Sequence, residues 1–301
     1  MLQRPSTALW LDVDSTDREQ HALLSDVFRF HPLAIEDTLN PRTRVKIEEY
    51  DGYVFIVLRA MRFDSDRVRF PRELGVKKMC LFLGPNYLVS VHSGEFATVD
   101  RVRARLDRNE LPKIDPAWIA YAITDDLVDG YFPILDWVDG FVDRLEQSNL
   151  GDLDRSTFDD MLRVRRLAFA AHRSLAPQRE MFETLAHERH ALIPDETRLF
   201  FRDVHDHASR ITDSLESYRE LIGNTTDSYV ARLSMRLNYA TAMFSAIATI
   251  AVPCLIISGI YSMNFAWLPF SKNPHGFWIA VGAQAAISVA LFVALRWRQL
   301  I

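Results

Sequence analysis

Apolar positions along the chain follow different periods in successive stretches, and each period predicts a different element. Ala8-Leu9-Trp10-Leu11 reads as a short strand, and helical spacing follows from Asp17 to Phe30. Tyr53 to Met61, Val76 to Leu83 and Tyr87 to His92 are near-continuous runs of Val, Ile, Leu and Phe. They read as strands, separated by the turn signals Asp51-Gly52 and Gly84-Pro85-Asn86. From Asp115 to Leu192 the spacing becomes helical and predicts two long helices, with Leu150-Gly151-Asp152 as the turn between them. The first is acidic (Asp125, Asp126, Asp129, Asp136, Asp139, Asp143, Glu146) and the second rich in arginine. Such a helix is commonly no more than a solvated face.

Asp195 to Asn264 predicts a single helix. Pro194, Asp195 and Glu196 suit a helix N-terminus, where the dipole favours negative charge. Phe200, Val204, Ile211, Leu215, Leu221 and Ile222 then supply the apolar face. Between Leu237 and Ser271 no side chain is charged. Asn238 to Ile260 thus provides the roughly 20 apolar residues that a membrane crossing requires. One helix over the whole run would be about 100 Å long. A second span, Phe277 to Leu295, follows a short loop, and Gly282, Ala283, Ala285, Ala286 and Ser288 give it a small face suited to helix packing.

Inside the first span polar and small residues form a stripe. Asp227, Ser234, Asn238, Thr241, Ser245, Val252 and Gly259 recur at intervals of three, four or seven. Polar side chains in lipid turn toward protein or water. The stripe is therefore either a helix–helix contact or the wall of a water-filled pore lined by one helix from each of several subunits.

Composition hides this division. The 301 residues carry a net charge of −5, like an average soluble protein. A polar, acidic first part of about 230 residues is averaged with an apolar remainder. No apolar core of signal-peptide length opens the chain, and two cysteines, Cys80 in a strand and Cys254 in a span, indicate no disulfide framework. Phosphate-binding glycine loops, nucleophile elbows and paired-cysteine sites are missing from the sequence, so the expectation is that the chain is not an enzyme. His187 and His190 are spaced as a helical ligand pair, but they do not make the zinc-protease pattern. Arg232 and Arg236 before the first span and Arg296 and Arg298 after the second place both termini in the cytoplasm by the positive-inside rule.

Gly259-Ile260-Tyr261-Ser262-Met263-Asn264-Phe265, followed by a loop and a second span, resembles the CorA family of divalent-cation channels. The family's hallmark is Tyr-Gly-Met-Asn-Phe at the outer mouth of the first span. His31 to Asp37, Val45 to Tyr50 and Asn86-Tyr87-Leu88 resemble its N-terminal domain, and Phe201-Arg202-Asp203-Val204, Asp206 and His207 its stalk helix. Ser262 departs from the pattern. If the glycine it replaces serves a left-handed turn, serine there is strained or takes another path.

The resemblance implies an α+β cytoplasmic domain (residues 1–114), a helical hairpin (115–194) and a very long stalk helix that becomes the first transmembrane helix (195–260). An outer loop (261–276), a second transmembrane helix (277–295) and a cytoplasmic tail (296–301) complete the organisation expected. It implies a homopentameric α-helical channel in the inner membrane, with lipid, divalent cations and copies of itself as partners and no nucleic acid. Magnesium, with cobalt or nickel, is the expected substrate. A zinc transporter of the ZntB branch and a non-conducting, membrane-anchored metal sensor are the alternatives. By the same resemblance Tyr261, Ser262, Met263 and Asn264 form the selectivity motif, and the stripe lines the pore. Phe244 and Val252 make the gate, and Asp203, Asp206 and His207 hold a regulatory divalent ion.

Overall fold

The computed structural model describes residues 8–62, 75–147, 155–263 and 273–297. The chain divides into two compact units, Met1–Thr225 and Thr226–Ile301.

The first unit is built on a five-stranded sheet: β1 (Leu9–Asp14), β2 (Lys46–Tyr50), β3 (Tyr53–Arg62), β4 (Gly75–Leu83) and β5 (Tyr87–His92). The order is β1-β5-β4-β3-β2, with β1 parallel to β5 and the other neighbours antiparallel. The runs read as strands are all present. β2, too charged for its period to show, is additional. It is fixed by the hairpin at Asp51-Gly52, where Gly52 takes a φ of +84°, and by the pairing of Tyr50 with Tyr53.

Apolar residues alternate without a gap in β3 and β4 because both faces of the sheet are covered. On one face Phe55, Val57, Cys80, Phe82 and Val89 pack against Leu24 of α1 (Arg18–Asp26), Ala34 of α2 (Pro32–Leu39) and Phe30 in the link between them. On the other, Val54, Ile56, Leu58, Met79 and Leu81 share one core with the remaining helices of the unit. Those are α3 (Ala97–Asp107), α4 (Pro116–Asp129), α5 (Phe132–Gln147), α6 (Arg155–His187) and the first part of α7 (Asp195–Ser262). On α7 this core takes Phe201, Val204, Ala208, Ile211, Leu215 and Ile222, whereas Phe200, expected on the apolar face, is 40% exposed.

The acidic helix expected as one element is two. Gly130 ends α4, the Tyr131 N–H turns back to the Val128 carbonyl, and Pro133 cannot donate the next helical hydrogen bond. The break sends Tyr131 into the core, fully buried, with its hydroxyl donating to the Arg59 carbonyl at 2.9 Å. Gln178 of α6 completes this junction. Beyond Val57, β3 has no partner in β2. The Gln178 amide takes over the vacated edge, accepting from the Arg59 N–H and donating to its carbonyl, each at 3.0 Å.

The second unit holds the rest of α7 and α8 (Gly276–Trp297). Both helices are long and apolar enough to cross a membrane, and almost none of the apolar stretch of α7, and none of that of α8, is buried.

Gln178→Leu removes the partner of a part-buried backbone N–H, a defect worth about 1–3 kcal/mol. The full chain in detergent is expected to lose that much on chemical denaturation, and Tyr131→Phe less, because Gln178 still serves the Arg59 carbonyl.

Candidate functional site

Two groups of side chains stand out, one in each unit. In the second, α7 has a face turned to α8 and a separate polar stripe. Ala242, Ala246, Ile250, Cys254 and Ile257 are wholly or partly covered. Asp227, Ser234, Asn238, Thr241, Ser245 and Val252 are exposed, and Gly259 is half-covered. At 100° per residue the two faces lie roughly a third of a turn apart. α8 therefore does not account for the stripe, which is open to another surface. Phe244, 68% exposed, flanks the stripe on the side away from α8, and Val252, 48% exposed, lies on it. Thr241 and Thr249 return their hydroxyls to the Leu237 and Ser245 carbonyls at 2.9 and 2.8 Å, so neither leaves a donor unsatisfied in an apolar setting.

Tyr261 and Ser262 end α7, and Met263 follows with its N–H on the Ile260 carbonyl. Asn264 lies outside the described residues. Ser262 is neither left-handed nor unpaired. Arg29 and Asn109 alone among described non-glycine residues have positive φ, and the Ser262 hydroxyl donates to the Gly259 carbonyl at 2.8 Å. Serine is accommodated by extending the helix through its position.

In the first unit α4 and α7 bring carboxylates around one imidazole. Asp125, Asp129 and His207 each offer a ligand atom, all within 4.8 Å of one another. Asp203, one turn before His207, lies 3.8 Å from its Nε2, and Asp129 lies 3.9 Å from its Nδ1. Both distances exceed a hydrogen bond, and Nδ1 is buried without a partner. Asp206 is turned away and pairs with His205 at 3.4 Å. Of the stalk residues singled out by the sequence, Asp203 and His207 converge and Asp206 does not. Asp125 and Asp129 were legible only as members of a long acidic run. Their period of four on α4, matched to Asp203 and His207 on α7, is what selects them.

Burial and mutual repulsion raise the cost of negative charge in this cluster. Burial pushes the Asp125 carboxyl up to about 6, and the neighbouring Asp129 adds to the rise. Burial raises Asp129 as well, against the opposing pull of His207. Carboxylate oxygens with an imidazole suit a divalent ion. A cavity of about 510 Å³ reaches Asp129, and its wall sets Glu95, Asp100, Asp126 and Asp129 against only Lys77 and Arg101. Arg101 is already held by Asp126 at 2.7 Å. His187 and His190 do not converge: His187 caps the Glu183 carbonyl, and buried His190 pairs with Glu49 of β2.

The raised pKa of Asp125 fixes the sign of a pH effect. The folded state binds this proton more tightly than the unfolded one, so the penalty is present above pH 6 and relieved as pH falls toward 4. Chelator-treated Asp125→Asn is expected to melt above the wild type at pH 7, and the gap should close by pH 4. A gap independent of pH would remove the electrostatic assignment.

A family model described as CorA-like Mg2+ transporter protein matches residues 5–296. The cobalt/magnesium transport protein CorA of Thermotoga maritima is 30% identical, over 97% of this chain and 83% of its own length. The solved structure of the CorA magnesium transporter from Methanocaldococcus jannaschii superposes with a TM-score of 0.74 at 22% identity, covering 95% of this chain and 89% of that one. Full-length CmaX superposes with a TM-score of 0.79 at 21% identity, covering 96% and 89%. With a match along almost the entire length and helices fit to cross a membrane at its end, the chain belongs to the CorA-like family of divalent-cation transporters.

Proposed function

We propose that the chain forms an oligomeric channel for magnesium, with cobalt or nickel as companions, gated by the same ions from the cytoplasm. The observation that carries this reading is the exposed stripe on α7. A polar row on a membrane helix, turned away from the helix's own neighbour, needs water or other copies of itself. A ring of copies supplies both, and a homopentamer is the arrangement that family resemblance favours.

Magnesium sheds its waters reluctantly, so the ring of Asn264 amides binds the ion through its water shell. The stripe offers amide, hydroxyl and carboxylate oxygens, without the cysteine or histidine that would coordinate zinc. The name of the Thermotoga maritima relative, cobalt/magnesium transport protein, agrees with this chemistry. Phe244 and Val252 provide the apolar constriction that closes by dewetting. Both termini lie in the cytoplasm of an inner-membrane protein, in keeping with the arginines that flank the spans.

Asp125, Asp129, Asp203 and His207 act as the sensor. An ion shifts a gate only by its differential affinity for the two states. Metal on the cluster holds α4 and α7 together and favours the closed arrangement, so influx falls as internal metal rises.

Proteoliposomes with defined metal inside and out test the reading. Magnesium flux is expected, with cobalt and nickel competing, and Asn264→Ala should abolish it while leaving the oligomer intact. Zinc flux unaffected by magnesium would favour the zinc branch; no divalent flux at all would leave a non-conducting sensor. Asp125→Asn with Asp203→Asn is expected to weaken inhibition by internal metal at least tenfold in concentration. Inhibition unchanged in that double variant would place the sensor elsewhere.

A further inference from the structure

Gln284 is the residue of the second span that no account of conduction through α7 uses. It lies nine residues into α8, among alanine, valine and isoleucine. A carboxamide at such a depth is costly unless bonded, and the nitrogen of this one makes two hydrogen bonds to α7. Its Nε2 donates to the Cys254 carbonyl at 3.1 Å and to the Ser258 hydroxyl at 2.7 Å. One turn further along α8 the Ser288 hydroxyl lies 3.1 Å from the Cys254 thiol. Ala280, Gln284 and Ser288 are half-covered and form the face of α8 that meets α7.

The grip falls on a weak turn. Pro253 lies inside α7 and has no N–H, so the Thr249 carbonyl loses its helical donor and the ring crowds the preceding turn. Uncompensated, such a site lets a helix kink or swivel. The stripe crosses it, with Val252 just before the proline and Gly259 one and a half turns after. Cys254 and Ser258 lie more than a quarter turn around the helix from the stripe, so the polar contacts fasten the back of α7 and leave its front free.

We infer that Gln284 is a positioning residue for transport. It clamps α8 to the turn of α7 that follows Pro253 and so sets the rotation at which Gly259 and the Tyr261 to Met263 stretch continue the stripe. This rests on the reading of α7 as the pore-lining helix. The amide does not touch the ion; it acts through the backbone of α7. α8 and the outer end of α7 move as one body about the proline.

Two measurements on the full chain in liposomes test this. Gln284→Leu keeps the side chain's size and suits lipid better, so insertion and assembly are retained. Maximal magnesium flux should fall about threefold or more, the scale of a hydrogen bond lost between membrane helices. The half-saturating magnesium concentration, set at the mouth, should stay within about twofold. Ser258→Ala alone should have a smaller effect, and none in the Gln284→Leu background, because the partners act as a unit. Separately, Ser288→Cys should be cross-linked to Cys254 by copper–phenanthroline, the two thiols giving up two protons and two electrons to the oxidant. Peptide mass spectrometry reads that bond whether or not the protein conducts. A conducting wild type with Gln284→Leu at full flux, additive effects of the two substitutions, or no cross-link overturns the clamp. A wild type that passes no divalent ion overturns the channel reading and the positioning role together, and the cross-link still reports whether the contact exists.

Discussion

A backbone that enters hydrocarbon must satisfy its own hydrogen bonds, because no water is there to do so. α7 meets this constraint by running unbroken from Asp195 to Ser262, and it is the one described element that belongs to both units. Near its start it contributes Phe201, Val204, Ile211 and Leu215 to the core of the first unit. Further on it has almost no protein cover. No linker intervenes at which a twist or shift could be absorbed by loop residues.

The same helix brings the two kinds of chemistry into one element. Asp203 and His207 face α4 from its part in the first unit, while Thr241, Ser245 and Val252 are exposed further on. Asp125 and Asp129 belong to α4, a helix held against the sheet through Ile119, Ile123 and Leu127. The cluster thus lies between an element fixed to the sheet and one that continues into the apolar unit. Family membership makes this transport machinery rather than catalytic machinery.

Much of this was legible in the sequence, and the exceptions have physical reasons. The strands showed because both faces of β3 and β4 are buried, which leaves uninterrupted apolar runs. The spans showed because lipid tolerates no charge. β2 was silent, since its Lys46, Glu48 and Glu49 lie on a sheet edge and its pairing comes from the turn at Gly52. The division of the acidic helix at Gly130 was hidden by an acidic pattern that continues through it. Only the burial of Tyr131 beneath Gln178 shows why the chain must turn there. The stalk motif led to Asp203 and His207 but also to Asp206, because sequence spacing alone cannot say which neighbour a helix will face. Asp125 needed the packing of α4 on α7, a long-range fact with no local signature.

The turn at Gly130 has one more effect. It makes Asp129 the last residue of α4, whose final turn has no basic side chain. The open carbonyls of a helix end carry partial negative charge, so a carboxylate there is held against an unfavourable field. A cation bound at the proposed site would relieve that field in the folded chain and find nothing comparable in the unfolded one. The free ion concentration then enters the unfolding equilibrium itself, by mass action. A cell short of the ion would hold this protein nearer to unfolding, and more open to proteases, than a cell well supplied with it. On the proposed reading of the cluster, ion supply would in that way act on the lifetime of the molecule, quite apart from any movement of a gate.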